Sequence, residues 1–188
     1  MGLRDVMFGR KKLSEPREDR LFALTTAAVT LQSELGLKTA GSAAIAFKPQ
    51  SSGEFRSAFD EVDSLVEATA QSQGSQIERK SDEYGFDWVI ARDTELEDLV
   101  ATMHVLAAEL TAKGFGPQLL AAMFRFEGMG NPVYWIYGFK QGAFWPFIPS
   151  GEHTRDNATE LELKAKLERE LPVEQDLTRW LALFEAPI

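Results

Sequence analysis

No cysteine occurs anywhere in this chain. That absence excludes disulfides, thiolate nucleophiles and cysteine-based zinc sites together, and it fits a reducing cytoplasm. Long apolar runs are missing too, with no stretch of about 20 apolar residues to span a bilayer. The opening Met1-Gly2-Leu3-Arg4 lacks the apolar stretch and cleavage site expected of a signal peptide, and Val6 stands where a myristoylation signal wants Ser or Thr. Histidine is scarce. His104, at the border of a helical apolar stripe, reads as a packed structural residue, and His153, between Glu152 and Thr154, as a solvated one. No Gly-x-Ser-x-Gly is present. Gly128 and Gly130 fall between two strands beside Pro132, which makes a hairpin turn and not a phosphate cradle, and Lys140-Gln141-Gly142 lacks the flanks of a P-loop. Asp82-Glu83 and Glu97-Asp98 are adjacent pairs whose side chains diverge in a strand or helix, so they read as solvated charges. The residues therefore assign no catalytic group, no metal and no cofactor.

Basic charge is also in deficit. Twenty Lys and Arg face 29 Asp and Glu, for a net charge of −9 and a pI near 4.8. An acidic body repels phosphate backbones, so nucleic acid is a poor partner. The first dozen residues are the exception: Arg4, Arg10, Lys11 and Lys12 against Asp5 give +3, leaving −12 for the remainder. On a helix Leu3, Val6 and Met7 would share a face, with Arg10, Lys11 and Lys12 at its C-terminal end. This segment is either a solubilising tail or a contact element for an anionic membrane or an acidic coiled coil. At about 1 kcal/mol per basic residue near anionic lipid, it supports weak, conditional contact and not anchoring.

What is present in quantity is ordinary globular material: 44% hydrophobic and 26% charged residues over a length that suits one core. The reading is a basic segment and linker over 1–19 and a single α+β domain over 20–188. Helical spacing over Arg20 to Leu35 ends at Gly36. A strand buried on both faces runs Ser42 to Phe47. Ser51 and Glu54 have capping-box spacing before a helix with Phe55, Phe59, Val62, Leu65, Val66 and Thr69 inward. A turn over Gln71 to Ser75 leads to a polar edge strand, Gln76 to Asp82. Tyr84, Phe86, Trp88 and Ile90 alternate as a second strand after a turn at Asp82 to Gly85. Thr94 and Glu97 repeat the capping-box spacing before a helix with Leu96, Leu99, Val100, Met103, Leu106, Ala107 and Leu110 inward, ended by Gly114. Three hairpin-linked strands follow, Leu119 to Phe126, Val133 to Lys140 and Phe144 to Ile148. Helices starting near Asn157 and spanning Asp176 to Phe184 complete the order α β α β β α β β β α α. The expected fold is a largely antiparallel sheet with helices packed on one face.

The stretch from Tyr134 to Phe147 holds seven of the chain's 20 aromatics. Trp135, Tyr137 and Phe139 alternate on one face, and Tyr134, Ile136 and Gly138 point to the other. One face must pack on the helices. The second is either more core or a groove for a partner helix, with Tyr134, Trp135, Tyr137, Phe144 and Trp145 as candidate contacts. Pro146 removes a ladder donor and points to an edge strand where a partner could dock. A competing class is an enzyme or small-ligand binder in which Arg125, Lys140, Tyr137 and His104 converge only in three dimensions.

Several stretches in order resemble the PspA-associated family PspAB. They are Met1-Gly2-Leu3 through Phe8-Gly9-Arg10, Leu21-Phe22-Ala23-Leu24, Phe47-Lys48-Pro49, Asp82-Glu83-Tyr84-Gly85 and Leu96-Glu97-Asp98-Leu99-Val100. Gly114-Phe115-Gly116-Pro117-Gln118-Leu119-Leu120, Phe144-Trp145-Pro146-Phe147, Arg155-Asp156-Asn157 and Leu171-Pro172-Val173-Glu174 with Arg179-Trp180 continue the series. The resemblance implies a partner, the coiled-coil protein PspA (phage shock protein A), and a non-enzymatic accessory or regulatory role in the envelope stress response. It places the chain in the cytoplasm, with a peripheral position at the inner face of the membrane. It carries over no catalytic residue.

Overall fold

Alternating apolar residues in the strands and 3.6-residue stripes in the helices build two layers, seen in a computed structural model that describes residues 17–188. A 3₁₀ turn, Glu18–Phe22, leads into α1 (Ala23–Ser33). There follow β1 (Lys38–Phe47), α2 (Gly53–Gln73), β2 (Gln76–Ser81), β3 (Asp87–Arg92) and α3 (Leu96–Ala112). Then come β4 (Leu119–Met129), β5 (Asn131–Gly138), β6 (Ala143–Phe147), the short pair β7 (Pro149–Gly151) and β8 (Thr154–Arg155), and α4 (Asn157–Leu167). The main sheet has six strands in the order β2-β3-β1-β4-β5-β6, every neighbour antiparallel. The fold is α+β, as the element pattern implies.

Register assigns each side chain to a face. Ala43, Ile45 and Phe47 of β1, Val89 and Ala91 of β3, Ala122 and Phe124 of β4 and Trp135 and Tyr137 of β5 share one face. The core that includes the inward residues of α1, α2 and α3 forms on this side. The six buried residues Ser42 to Phe47 confirm a strand covered on both faces. Gly114, at φ +86°, closes α3: Phe115 N–H donates to the Leu110 carbonyl across it at 2.8 Å, the reach-back bond of a Schellman ending.

Several local expectations shift. The cap of α2 is Ser52, not Ser51, its hydroxyl accepting from Phe55 N–H at 3.2 Å. Helix α4 starts at Asn157 as expected, capped by Asp156, which accepts from Thr159 N–H. No side chain caps α3; Asp93 instead accepts from Glu95 N–H. Helix α2 runs three residues into the expected turn at 71–75, ending at Gln73 with Gly74 as its left-handed cap, and its Leu65 points outward at 45% exposure. Tyr84 and Phe86 belong to the turn before β3, because the Asp82 carboxylate draws the backbone N–H groups of both onto itself. The largest correction is at the C-terminal end. No helix spans 176–184; only a 3₁₀ turn forms, Leu177–Arg179. The carbonyls of Trp180 and Leu181 accept from the Arg155 and Trp145 side chains, so the backbone there is committed to tertiary partners.

Candidate functional site

The second face of the sheet carries Ala44 and Ala46, Trp88 and Ile90, Ala121 and Met123, Tyr134, Ile136 and Gly138, and Trp145 and Phe147. No helix of the first layer covers it. Residues 180–188 cross part of it as an irregular strap. Trp145 Nε1 donates to the Leu181 carbonyl at 3.0 Å, and the Tyr134 hydroxyl donates to the Ile188 carbonyl at 3.0 Å. Phe184 meets Phe147 edge-on with 5.1 Å between ring centres. Leu183, Ala186 and Ile188 pack against Ala44, Ala46, Trp88 and Ile90. Arg155 fastens the start of the strap, donating to the Trp180 carbonyl at 2.9 Å while its Nε binds both carboxylate oxygens of Glu160.

Beside the strap the face stays open as an apolar groove of about 520 Å³. Its hollow follows from side-chain size. Ala46 and Ala121 are cross-strand partners with little to fill the space, and the indoles of Trp88 and Trp145 wall it on either side. Gly138 sets the position of one wall: a Cβ there would stand 2.8 Å from Cζ3 of Trp145. Phe86, Leu119, Leu120, Phe139, Leu181 and Leu183 add to the apolar lining, and Lys140 and Gln141 also border the groove. At the opposite end, Trp88 Nε1 donates to Asp82 at 2.9 Å. Tyr84 stands beside this end, and its hydroxyl pKa is raised, chiefly by Glu83, with burial, Glu185 and Asp82 behind it. That end of the groove is therefore electronegative.

Leu3, Val6, Met7, Arg10, Lys11 and Lys12 lie outside the described residues. Tyr134, Trp135, Tyr137, Phe144 and Trp145 are all buried, the most exposed at 8%. Of the two alternatives for this stretch, more core or a groove for a partner helix, their burial supports core for most of it. Trp135, Tyr137 and Phe144 face the helix-covered core, and Tyr134 is capped by the strap. Trp145 alone of the five lines the groove. The edge at Pro146 is filled as well: Phe144 N–H donates to the Pro172 carbonyl, and Glu174 N–H donates to the Phe144 carbonyl, both at 2.8 Å.

The four residues considered for chemistry do not converge. Tyr137 donates its hydroxyl proton to the Arg17 carbonyl at 2.7 Å, and burial holds its pKa well above the ordinary value. His104 lies against Phe22, with ring centres 4.8 Å apart. Arg125 pairs with Glu127 at 3.0 Å, and Lys140 is the one of the four at the groove. Among the described residues no three His, Asp or Glu side chains gather in a way that could hold a metal ion. Sequence reasoning missed Trp88, Leu120 and Phe139 as groove residues. The available signal was the pairing of small residues in β1 and β4 with large aromatics on the strands outside them.

No curated protein matches this sequence. A family match extends from the first residue to the last, through the strands that build the groove and the strap that borders it. The chain belongs to the family described as PspA associated protein B, which it matches over residues 1–188.

Proposed function

We propose that this chain is a non-enzymatic accessory protein of a PspA-dependent envelope stress response, and that it acts by binding PspA. The observation that carries the reading is the family match over the whole chain. The groove between Trp88 and Trp145 supports the reading. It is apolar and open beside a half-covered sheet face, which suits the aliphatic stripe of an amphipathic helix such as a coiled-coil partner offers. The chain works in the cytoplasm in this reading, with its basic N-terminal residues adding weak contact to anionic lipid at the inner face of the membrane. No helix among the described residues is long and apolar enough to cross a bilayer.

The test is co-purification with PspA from the same organism, with and without membranes, followed by the same experiment with Leu120→Asp. Expected are a complex with the unaltered chain and at least tenfold weaker association with the variant. Absence of any complex under both conditions sinks the reading.

A second reading is favoured by one observation. A volume of about 520 Å³ falls in the range of roughly 300–1,000 Å³ typical of small-molecule sites. The groove would then take an apolar ligand, and native mass spectrometry of the purified chain would find a co-purifying small molecule that Leu120→Asp abolishes.

A further inference from the structure

The strap covers the sheet without being covered itself. Ala44, Ile90 and Phe147 beneath it are 0% exposed, yet none of residues 181–188 is buried, and Leu181 stands 57% exposed. Its grip is made of few bonds. Among the described residues it pairs with no strand, and the sheet holds its backbone by side-chain donors on two carbonyls, Trp145 Nε1 on Leu181 and the Tyr134 hydroxyl on Ile188. Trp180, just before it, is fixed. It is buried, its indole donates to the Glu174 carbonyl at 3.0 Å, and its own carbonyl is held by Arg155. A fixed residue followed by a lightly held segment is the arrangement of a pivot.

The closed strap leaves too little width for a helix. The groove is floored by Ala46 and Ala121, one row of the face. The next row, two residues along, holds Ala44 and Met123. At roughly 3.3 Å per residue it lies about 7 Å away. An α-helix with its side chains is about 10–12 Å across. A helix lying on the floor therefore overlaps the second row. The strap is already there, packing through Leu183, Ala186 and Ile188 against the cluster of Ala44, Ala46, Trp88 and Ile90. Leu181 and Leu183 also line the groove, so the strap is one of its walls.

We propose that residues 181–188 swing about Trp180, and that the amphipathic helix of the partner binds only once they have left, on the joined surface of the groove floor and the row of Ala44 and Met123. Strap and helix then compete for the same residues, so the strap sets the affinity of the site. The identity of the partner rests on the PspA reading; the swing does not.

The cysteine-free chain makes the test direct. In the full-length protein, Ala44→Cys is compared with Ala43→Cys, its neighbour on the same strand. Both positions are 0% exposed, but Ala44 lies under the strap and Ala43 in the helix-covered core. Ala122→Cys, buried in that same core, repeats the control. Without denaturant, a disulfide reagent should modify the thiol at position 44 at least tenfold faster than the thiols at 43 and 122. Phe184→Ala with Tyr134→Phe removes the ring contact to Phe147 and the hydroxyl on Ile188, and neither residue lines the groove. This pair should raise the rate at position 44 at least fivefold and strengthen association with PspA at least threefold. Equal rates at the three positions, or a rate at 44 indifferent to the strap substitutions, overturn the proposal, as does PspA association that is unchanged or weaker in the strap variant. If the unaltered chain binds no PspA, the PspA reading falls, and the thiol rates still decide the swing.

Discussion

A methyl group at Gly138 would run into the Gln141 side chain and stand 2.8 Å from the Trp145 ring, closer than carbon atoms pack. Gly138→Ala is therefore expected to cost about 1–3 kcal/mol by overpacking, seen as a lower urea midpoint together with altered tryptophan fluorescence. An unchanged midpoint would mean that the ring has room to turn. Asp82 governs the other wall. Its carboxylate accepts from Trp88 Nε1, Phe86 N–H and Tyr84 N–H, each at 2.9 Å. Burial pushes its pKa up, but these bonds, that of Trp88 first, outweigh it and hold the group below its ordinary value. A depressed folded pKa stabilises the protein above the unfolded value of about 3.9 and loses that contribution as pH falls through the folded value. Acid titration should thus release Trp88 only below about pH 4, and Asp82→Asn should flatten that limb of the stability curve. If the acid limb survives the substitution unchanged, another carboxylate is responsible.

Among the elements, α4 has a role larger than its length. Glu160 on its first turn is 1% exposed; it accepts from Ile148 N–H at 2.8 Å and from Arg155, which in turn holds the Trp180 carbonyl. Glu160→Ala leaves a half-buried guanidinium and a buried N–H without their partner. The expected loss is about 3 kcal/mol or more, with increased binding of an apolar dye as the strap lifts from Trp145; Glu160→Gln should lose less. The helices and the six strands of the main sheet were legible because each carries its own period; the short β7–β8 pair was not. The exposed β2 at the sheet edge followed from Glu78, Arg79 and Lys80, and the α3 ending followed from Gly114. The cap of α2 was displaced by one position because Ser51 and Ser52 are locally equivalent acceptors. The strap was not legible. Residues 176–184 are too few to fix a helix alone, and what decides their path is Trp145 and Arg155, far away in sequence. The groove escaped for the same reason: Ala46 and Ala121 make a hollow only when β1 and β4 are paired.

At the scale of the whole molecule, both sheet edges are closed to further pairing. Along β2, Glu78 meets Lys80 at 3.2 Å and Arg92 at 3.7 Å, and Arg79 bonds Asp63 of α2 at 2.6 Å, leaving a charged border. Along β6, residues 172–174 take the backbone groups of Phe144. Shortening the chain after Leu171 would bare that border and the second sheet face together, so dye binding and concentration-dependent aggregation are expected, read by light scattering; a monomeric, dye-silent product would refute this. The order of the sheet has a kinetic consequence. β1 is the first strand in sequence yet sits in the middle, where Ala44 meets Ile90 on one side and Met123 on the other. Neither neighbour is joined to it by a hairpin. The β2–β3 and β4–β5–β6 ribbons can close over short turns, but the sheet becomes continuous only when β1 enters between them, after long loops have been ordered. Pairing this non-local is expected to make that insertion the slow step of folding, on a scale of roughly milliseconds to seconds, which stopped-flow refolding would check.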